Sequence, residues 1–335
     1  MSEKNTQEIK KKTGNRWLIA TLLGIILVLL MSLLILWFSP KILLGNNEAV
    51  PADTPVSMGN LHLQETIDVE LLKKYAQEYN VSIEFLQRFF DNEIVYKSDG
   101  KIVYQPVDQS LPMNDINWDN LVRSGDEIEY WVDGEQAAKK VIDVSTHQGE
   151  IDWEKVKADG VDYAYIRLGF RGWGSGKLVL DEYYQKNIEG AKAAGIKVGV
   201  YFFSQAITPE EGREEAEFVL ENIQGYELDL PIALDSEEVS GEDARANSLT
   251  AEERTDTVIA FCEQIERAGY EPMIYANVNQ FFERMEFARL KDYKKWFAQY
   301  FKRPFFPYEL CMWQYTAEGK VDGIDGFVDL NLYFE

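Results

Sequence analysis

Four carboxylic acids fall where predicted strands end, and together they could donate protons or bind a cation. Asp235 and Glu237 close the segment PIALDSEE, whereas Asp143 lies in VIDVSTHQG and Asp329 in FVDLNLYF. Side chains two positions apart in a strand share a face, so Asp235 and Glu237 should point the same way. Carboxylates held close together raise one another's pKa. Such a cluster can keep one acid protonated near neutral pH.

Two kinds of chemistry compete for these acids. Oxygen ligands suit calcium or magnesium, whereas a protonated acid beside a carboxylate suits cleavage of a glycosidic bond. Aromatic residues lie near the same strand ends, among them Tyr201, Tyr275 and Trp313. They favour a sugar ligand, because aromatic rings pack against sugar rings and do not coordinate a calcium or magnesium ion. Any one of them could instead be a core residue. With two histidines and no Cys or His cluster, a zinc site is not expected.

The elements that must position these acids alternate between strand and helix from Lys140 to the C-terminus. About eight strand-like runs occur there, without a Gly-x-Gly-x-x-Gly motif. This alternation predicts parallel βα units and an α/β fold, an irregular (β/α) barrel of the TIM type, over residues 140–335. In such barrels the chemistry lies at the carboxyl ends of the strands, where these acids are expected.

The N-terminal part predicts a membrane anchor. Trp17 to Phe38 is an uncharged run of 22 residues that would span roughly 33 Å as a helix. Residues 1–16 carry five Lys and Arg against two Glu, which predicts a cytoplasmic tail and a single-pass type II protein of the cell membrane with its larger part extracellular. We expect no cleavage, because the run is longer than the apolar region of a signal peptide and lacks a small-x-small site behind it.

Between the anchor and the barrel, the sequence predicts a linker over residues 39–64 and a small α+β domain over residues 65–133. ETIDVELLKKYAQEYN and VSIEFLQRFF have helical spacing, and EIVYKSDGKIVYQP reads as a hairpin. This domain is expected to act as a spacer or to contact a partner protein of the envelope. Its helix-turn-helix part faintly resembles a glycan-binding LysM module, but the flanking strands are not in the LysM order.

The overall charge bears on the partners of the protein, and the cysteine content bears on whether a disulfide is expected. A net charge of −23 argues against nucleic acid as a partner, because phosphates would be repelled. The two cysteines, Cys262 and Cys311, are expected to be free thiols that behave as small apolar residues.

The segment from Lys140 onward resembles glycoside hydrolase family 25, the lysozymes that include the Chalaropsis-type muramidases. Six motifs carry the resemblance, in the expected order: DVSTHQGEIDW, YAYIRLGF, NIEGAKAAGIKVGVYFF, LPIALDSEE, AGYEPMIYAN and MWQYTAEGKVDGIDGFVDLN. A different glycosidase class, the family 18 chitinases, fits poorly. Of the three aspartates that precede the catalytic Glu in its fourth-strand motif, only Asp235 is matched.

The resemblance implies a function and a set of site residues. Members cleave the β-1,4 bond between N-acetylmuramic acid and N-acetylglucosamine in peptidoglycan, without a metal or another cofactor. By resemblance, Glu237 is the general acid, Asp235 its partner, and Asp143 and Asp329 orient the substrate and tune the pair. Tyr201, Tyr275, Trp313 and Gln314 match the lining of the glycan cleft. The implied role is cell-wall remodelling in a Gram-positive bacterium; the alternative is a non-catalytic peptidoglycan-binding or scaffolding protein.

Overall fold

A nine-stranded sheet that closes on itself dominates the fold. The structure, a computed structural model, describes residues 68–239 and 243–334, which lie within one compact unit, Ile67–Glu335. In these residues no helix is both long and apolar enough to cross a membrane. The predicted span Trp17–Phe38 and the linker 39–64 lie outside the described residues.

The described part of the chain begins with two helices and a hairpin. Helix α1 (Val69–Tyr79) is capped by the Asp68 carboxylate, which accepts from the Leu71 amide, and it ends at Asn80 in the left-handed conformation. Helix α2 (Ile83–Gln87) follows. Strands β1 (Glu93–Ser98) and β2 (Lys101–Pro106) pair antiparallel around Asp99 and Gly100, both at positive φ, as the hairpin motif predicted.

A second small sheet, which the sequence reading missed, joins the hairpin to the barrel. A 3-10 turn (Trp118–Asn120) leads into β3 (Leu121–Ser124), β4 (Glu127–Val132) and β5 (Glu135–Gln136). Trp118 packs edge-on against Trp313 and Phe334 of the barrel, with ring centroids 5.9 and 5.7 Å apart. Residues of this segment therefore share the core of the barrel rather than lying apart from it.

Eight strands close the predicted barrel, which confirms the α/β barrel architecture. Closure comes from β6 (Lys139–Val144), which pairs with β7 (Tyr163–Arg171) on one side and with β14 (Val328–Tyr333) on the other. A short extra strand, β8 (Leu178–Leu180), pairs antiparallel with the C-terminal end of β7. The barrel strands are β6 (Lys139–Val144), β7 (Tyr163–Arg171), β9 (Lys197–Ser204), β10 (Ile232–Ser236), β11 (Pro272–Asn277), β12 (Lys294–Ala298), β13 (Met312–Gly319) and β14 (Val328–Tyr333).

Capping side chains mark the start of several of the surrounding helices. Helix α5 (Pro209–Asn222) starts behind the Thr208 cap, and helix α6 (Ala251–Arg267) starts behind a capping box formed by Thr250 and Glu253. Cys262 is buried in α6, and it and Cys311 are free, as expected. The helices are α3 (Trp153–Ala158), α4 (Tyr184–Ala193), α5 (Pro209–Asn222), α6 (Ala251–Arg267) and α7 (Val278–Phe282), followed by a 3-10 turn at Phe287–Leu290.

The last strand runs opposite to the other seven. Strands β6 to β13 of the barrel are parallel, but β14 is antiparallel to both of its neighbours, β13 and β6. Asp329 is therefore near the beginning of its strand and not near the carboxyl end that the parallel pattern predicted. Because the strand is reversed, its beginning lies at the same mouth, and Asp329 is the register partner of Asp143.

The barrel interior is filled by side chains that alternate along each strand. Aromatic residues dominate a closed interior cluster, in which Tyr165 packs against Trp296 with centroids 4.9 Å apart. Gly199 makes room for this layer, since a Cβ there would lie 2.7 Å from the Tyr165 ring. The interior is thus a packed core below and an open cavity at the mouth.

Candidate active site

The four predicted acids meet in one cavity at the barrel mouth. Asp143 and Asp235 lie near the ends of β6 and β10, Glu237 follows β10 directly, and Asp329 opens β14. All four line a cavity of about 550 Å³. Asp235 is level with Phe203 on β9 and Tyr275 on β11, its register partners on the neighbouring strands. The sequence prediction that these acids converge agrees with this placement.

Asp143 is held by two side-chain amides whose own orientations are fixed. Gln314 accepts at Oε1 from the hydroxyls of Tyr275 (2.8 Å) and Tyr300 (2.9 Å), and its Nε2 donates to Asp143 Oδ2 at 3.0 Å. Asn331 accepts at Oδ1 from the Trp296 indole at 2.7 Å, and its Nδ2 donates to the same carboxylate oxygen at 2.9 Å. Because an indole N–H can only donate, the Asn331 amide must present its nitrogen to Asp143.

Asp235 is buried and faces a fixed positive charge. Its Oδ1 is buried without a hydrogen-bond partner among the described residues. Arg167, on β7, lines the same cavity and is clamped by the buried Asp181, whose Oδ2 accepts from the Arg167 Nε at 2.8 Å. The Arg167 charge opposes the rise in the pKa of Asp235. Asp235 is therefore an acid that lacks a partner on one oxygen and has a cation beside it.

Glu237 stands at the edge of the cavity, half-buried, on the loop that leaves β10. Gln205 donates through Nε2 to its backbone carbonyl at 3.3 Å. The next residue, Glu238, points outward and pairs with Arg284 at 2.7 Å, as strand alternation predicted.

The site raises the pKa of every acid in it. Burial raises the pKa of Glu237 to about 7, with a further contribution from the charge of Asp329. Burial also raises the pKa of Asp329 to about 6. The pKa of Asp143 and that of Asp235 are raised well above the ordinary range, first by burial and then by the charges of Asp329 and Glu237 respectively. The cluster therefore retains protons near neutral pH.

Aromatic rings form much of the cavity wall. Of the predicted cleft residues, Tyr201, Tyr275 and Gln314 line the cavity. Trp313 does not: it is fully buried, packs against Trp118 and donates from its indole to the Gln299 carbonyl at 2.8 Å. The reason is alternation, because Gln314 faces the interior of the barrel and its neighbour Trp313 must face outward, where it meets Trp118. The prediction that Gln314 lines the cleft agrees with the structure, whereas the prediction for Trp313 was wrong.

Several site residues were missed in the sequence. Arg167 and Asn331 were accessible to the same alternation, since Arg167 is two residues beyond the inward Tyr165 and Asn331 is two beyond Asp329. Tyr300 lies in the loop after β12, where no periodicity applies. The remaining aromatic lining residues that were not assigned are Phe170, Trp173, Phe203 and Trp296.

The arrangement suits the transfer of a proton to an uncharged ligand whose rings can pack against the aromatic wall of the cavity. A protonated carboxyl, neighbouring acids and aromatic walls are what acid-assisted cleavage of a glycosidic bond requires. In the part of the chain that the structure describes, no group of three or more His, Cys, Asp or Glu side chains is arranged to hold a metal ion.

Lysozymes are among the known proteins to which the chain is similar. The chain is 29% identical to the autolytic lysozyme of Clostridium acetobutylicum over 197 residues, which are 58% of this chain and 56% of that protein. It therefore spans just over half the length of that relative. The bacterial lysozyme from Streptomyces coelicolor matches with a TM-score of 0.52 and 26% identity, over 60% of this chain and 94% of that one.

A further solved structure supports the fold alone. The modular autolysin LytC from Streptococcus pneumoniae has a TM-score of 0.53 at 24% identity, over 73% of this chain and 57% of that chain. The family match is more specific, because residues 142–324, more than half of the chain, match the glycosyl hydrolases family 25 and include Asp143, Asp235 and Glu237. The protein belongs to glycosyl hydrolase family 25.

Proposed function

We propose that this protein is a peptidoglycan hydrolase, an N-acetylmuramidase that cleaves the β-1,4 bond between N-acetylmuramic acid and N-acetylglucosamine during cell-wall remodelling. The observation that carries the proposal is Glu237, an acid with a pKa of about 7 that faces buried carboxyls across an aromatic-lined cavity. Family membership and the similarity to two lysozymes support it.

In this mechanism Glu237 donates its proton to the glycosidic oxygen as the bond to the anomeric carbon breaks. The departing sugar gains that proton as part of a hydroxyl. Water then adds its hydroxyl to the anomeric carbon, and the proton that this water releases restores the Glu237 carboxyl. Positive charge develops on the sugar ring, and Asp235, with Arg167 favouring its ionised form, lies where a carboxylate can stabilise that charge. Asp143, held by Gln314 and Asn331, is a rigid acceptor for substrate polar groups.

Asp329 acts on the reaction through the pKa of Glu237. Its negative charge disfavours ionisation of Glu237, so Asp329→Asn should lower that pKa and move the alkaline limb of kcat/KM to lower pH, by roughly half to one unit. The measurement is a pH profile of kcat/KM, which reports the free enzyme. Asp325→Asn, an exposed acid four residues earlier, should leave the limb in place. An unchanged or upward-shifted limb in Asp329→Asn would refute the electrostatic role.

Release of reducing sugar from purified peptidoglycan tests the enzymatic proposal against the non-catalytic alternative. We expect release by the purified protein, and its persistence in the presence of EDTA. Binding of peptidoglycan without any release would favour a binding or scaffolding protein. A large loss of activity with EDTA would instead favour the interpretation that the carboxylate cluster binds a cation.

We further propose that Trp17–Phe38 anchors the protein in the cell membrane, with residues 1–16 cytoplasmic and the barrel extracellular. The uncharged run and the preceding basic residues support this topology. Tethering would confine hydrolysis to nearby wall, and residues 65–133 would serve as a spacer or contact an envelope partner. Protease added to intact protoplasts should remove the barrel and leave a membrane-bound fragment. Recovery of the whole protein in a protected or soluble form would contradict the topology.

A further inference from the structure

A second cavity opens directly beside the carboxylate cavity. It has a volume of about 670 Å³, within the range that binds ligands of several rings. The two cavities share three lining residues, Glu237, Tyr275 and Tyr300. The second cavity, here called the side groove, therefore begins at the acid itself.

One wall of the side groove comes from residues outside the part of the chain that matches the family. Ser82, Ile83 and Glu84 at the start of α2, with Tyr96 and Lys97 of β1, line one side. The opposite wall is built by the barrel, from the segments 277–279 and 298–301. The family match begins at residue 142, so the side groove is an addition made by the small N-terminal segment.

This wall is fixed to the barrel by polar contacts. Asn279 donates through Nδ2 to the Lys97 carbonyl at 2.5 Å, and the Ser98 hydroxyl donates to Glu283 Oε1 at 2.5 Å. On the other flank the Lys302 amide donates to Glu84 Oε1 at 3.1 Å. These contacts lie at both ends of the wall, so the groove is formed before any ligand arrives.

The groove lining has the chemistry of a surface for sugar rings. It combines side-chain amides, hydroxyls and aromatic rings with one exposed lysine and one further acid, Glu84, so its formal charge cancels when Glu237 is protonated. Tyr300 is 56% exposed and lines both cavities, so its ring offers a stacking face across their junction. The Ser82 side chain is exposed and makes no capping hydrogen bond to α2.

We propose that the side groove binds further saccharide units of the glycan strand being cleaved, so that the N-terminal segment makes the enzyme selective for long strands. The proposal rests on the proposed function. Sugar rings are favoured over the peptide stems of peptidoglycan, because the aromatic and amide lining suits rings and its balanced charge gives no concentration of charge to pair with stem carboxylates. The hairpin segment thereby contributes to substrate binding.

The test compares peptide-free glycan strands with a short peptide-free tetrasaccharide. Ser82→Trp places an indole in the groove, and it should lower the ratio of kcat/KM for long over short substrate about tenfold, mainly through KM. Arg88→Trp, on an exposed residue of the same segment that does not line the groove, should leave that ratio unchanged. An unchanged ratio in folded Ser82→Trp would overturn the proposal.

A binding measurement separates this proposal from the proposed function. Calorimetry with peptide-free strands in a Glu237→Gln background should show weaker binding when Ser82→Trp is added, whether or not the wild type hydrolyses peptidoglycan. Equal affinity would refute the groove, even if the enzyme is a muramidase. A loss confined to strands that carry peptide stems would assign the groove to the stem and overturn the saccharide proposal.

Discussion

Glu237→Gln should reduce the hydrolysis of peptidoglycan by about three orders of magnitude. General acids contribute roughly 10²–10⁴-fold, and an amide of the same size cannot supply the proton. The effect should fall on kcat, because the glutamine still fills the edge of the cavity and the affinity for glycan should persist. The measurement is the initial rate of reducing-sugar release under saturating substrate.

The neighbouring acid provides a matched control for this substitution. Glu238 is exposed and pairs with Arg284 outside the cavity, so Glu238→Gln should keep activity within about twofold of the wild type. If Glu237→Gln and Glu238→Gln had similar rates, Glu237 would not be the acid.

Glu237→Gln should also stabilise the folded protein above neutral pH. The folded-state pKa of Glu237 is about 7 against an ordinary value of 4.5, so the folded state holds the proton more tightly than the unfolded state. Stability is therefore lost as the pH rises from about 4.5 to about 7, and an uncharged glutamine side chain at this position would avoid that loss. We expect the Glu237→Gln variant to melt at a higher temperature than wild type at about pH 8, with the difference shrinking towards about pH 4.

Asp235→Asn should lower kcat by about 10²–10³-fold without a comparable loss of stability. One oxygen of this buried carboxyl has no partner among the described residues, so the amide breaks no hydrogen bond on that side. What is lost is the ability of this side chain to ionise and so to face the developing positive charge on the sugar with a negative charge. Steady-state kinetics and thermal unfolding of the same preparation give both quantities.

Asp181 supplies the contrasting case. It is buried and accepts the Arg167 guanidinium, with an N–O distance of 2.7 Å, so Asp181→Asn should cost stability as well as activity. Retained activity in Asp235→Asn would remove Asp235 from the mechanism. A stability loss as large as that of Asp181→Asn would make Asp235 a structural residue.

Local patterns were sufficient for much of this fold, and the failures have physical causes. The period-2 rule placed Asp235 and Glu237 at the mouth, and the hairpin motif EIVYKSDGKIVYQP predicted the pairing of β1 with β2. Asp329 reached the mouth through a reversed strand, and strand direction is set by tertiary pairing that no local pattern carries.

Other features depended on contacts between distant parts of the chain. Tyr300 donates to Gln314 from a loop, and Trp118 closes over Trp313 from a segment almost two hundred residues earlier. The wall built by Ser82 and Lys97 likewise exists only because the hairpin docks on the barrel. By contrast, Trp313 could have been excluded from the cleft by the alternation that was applied to Asp235.

The most direct test of the central claim is the identity of the sugar at the newly formed reducing end. Purified peptidoglycan digested by the protein would be reduced with borohydride, hydrolysed and analysed for amino-sugar alcohols, with Glu237→Gln as the parallel sample. The account predicts muramitol from the wild type and a trace at most from the variant. Glucosaminitol in place of muramitol, or equal muramitol from both proteins, would contradict it.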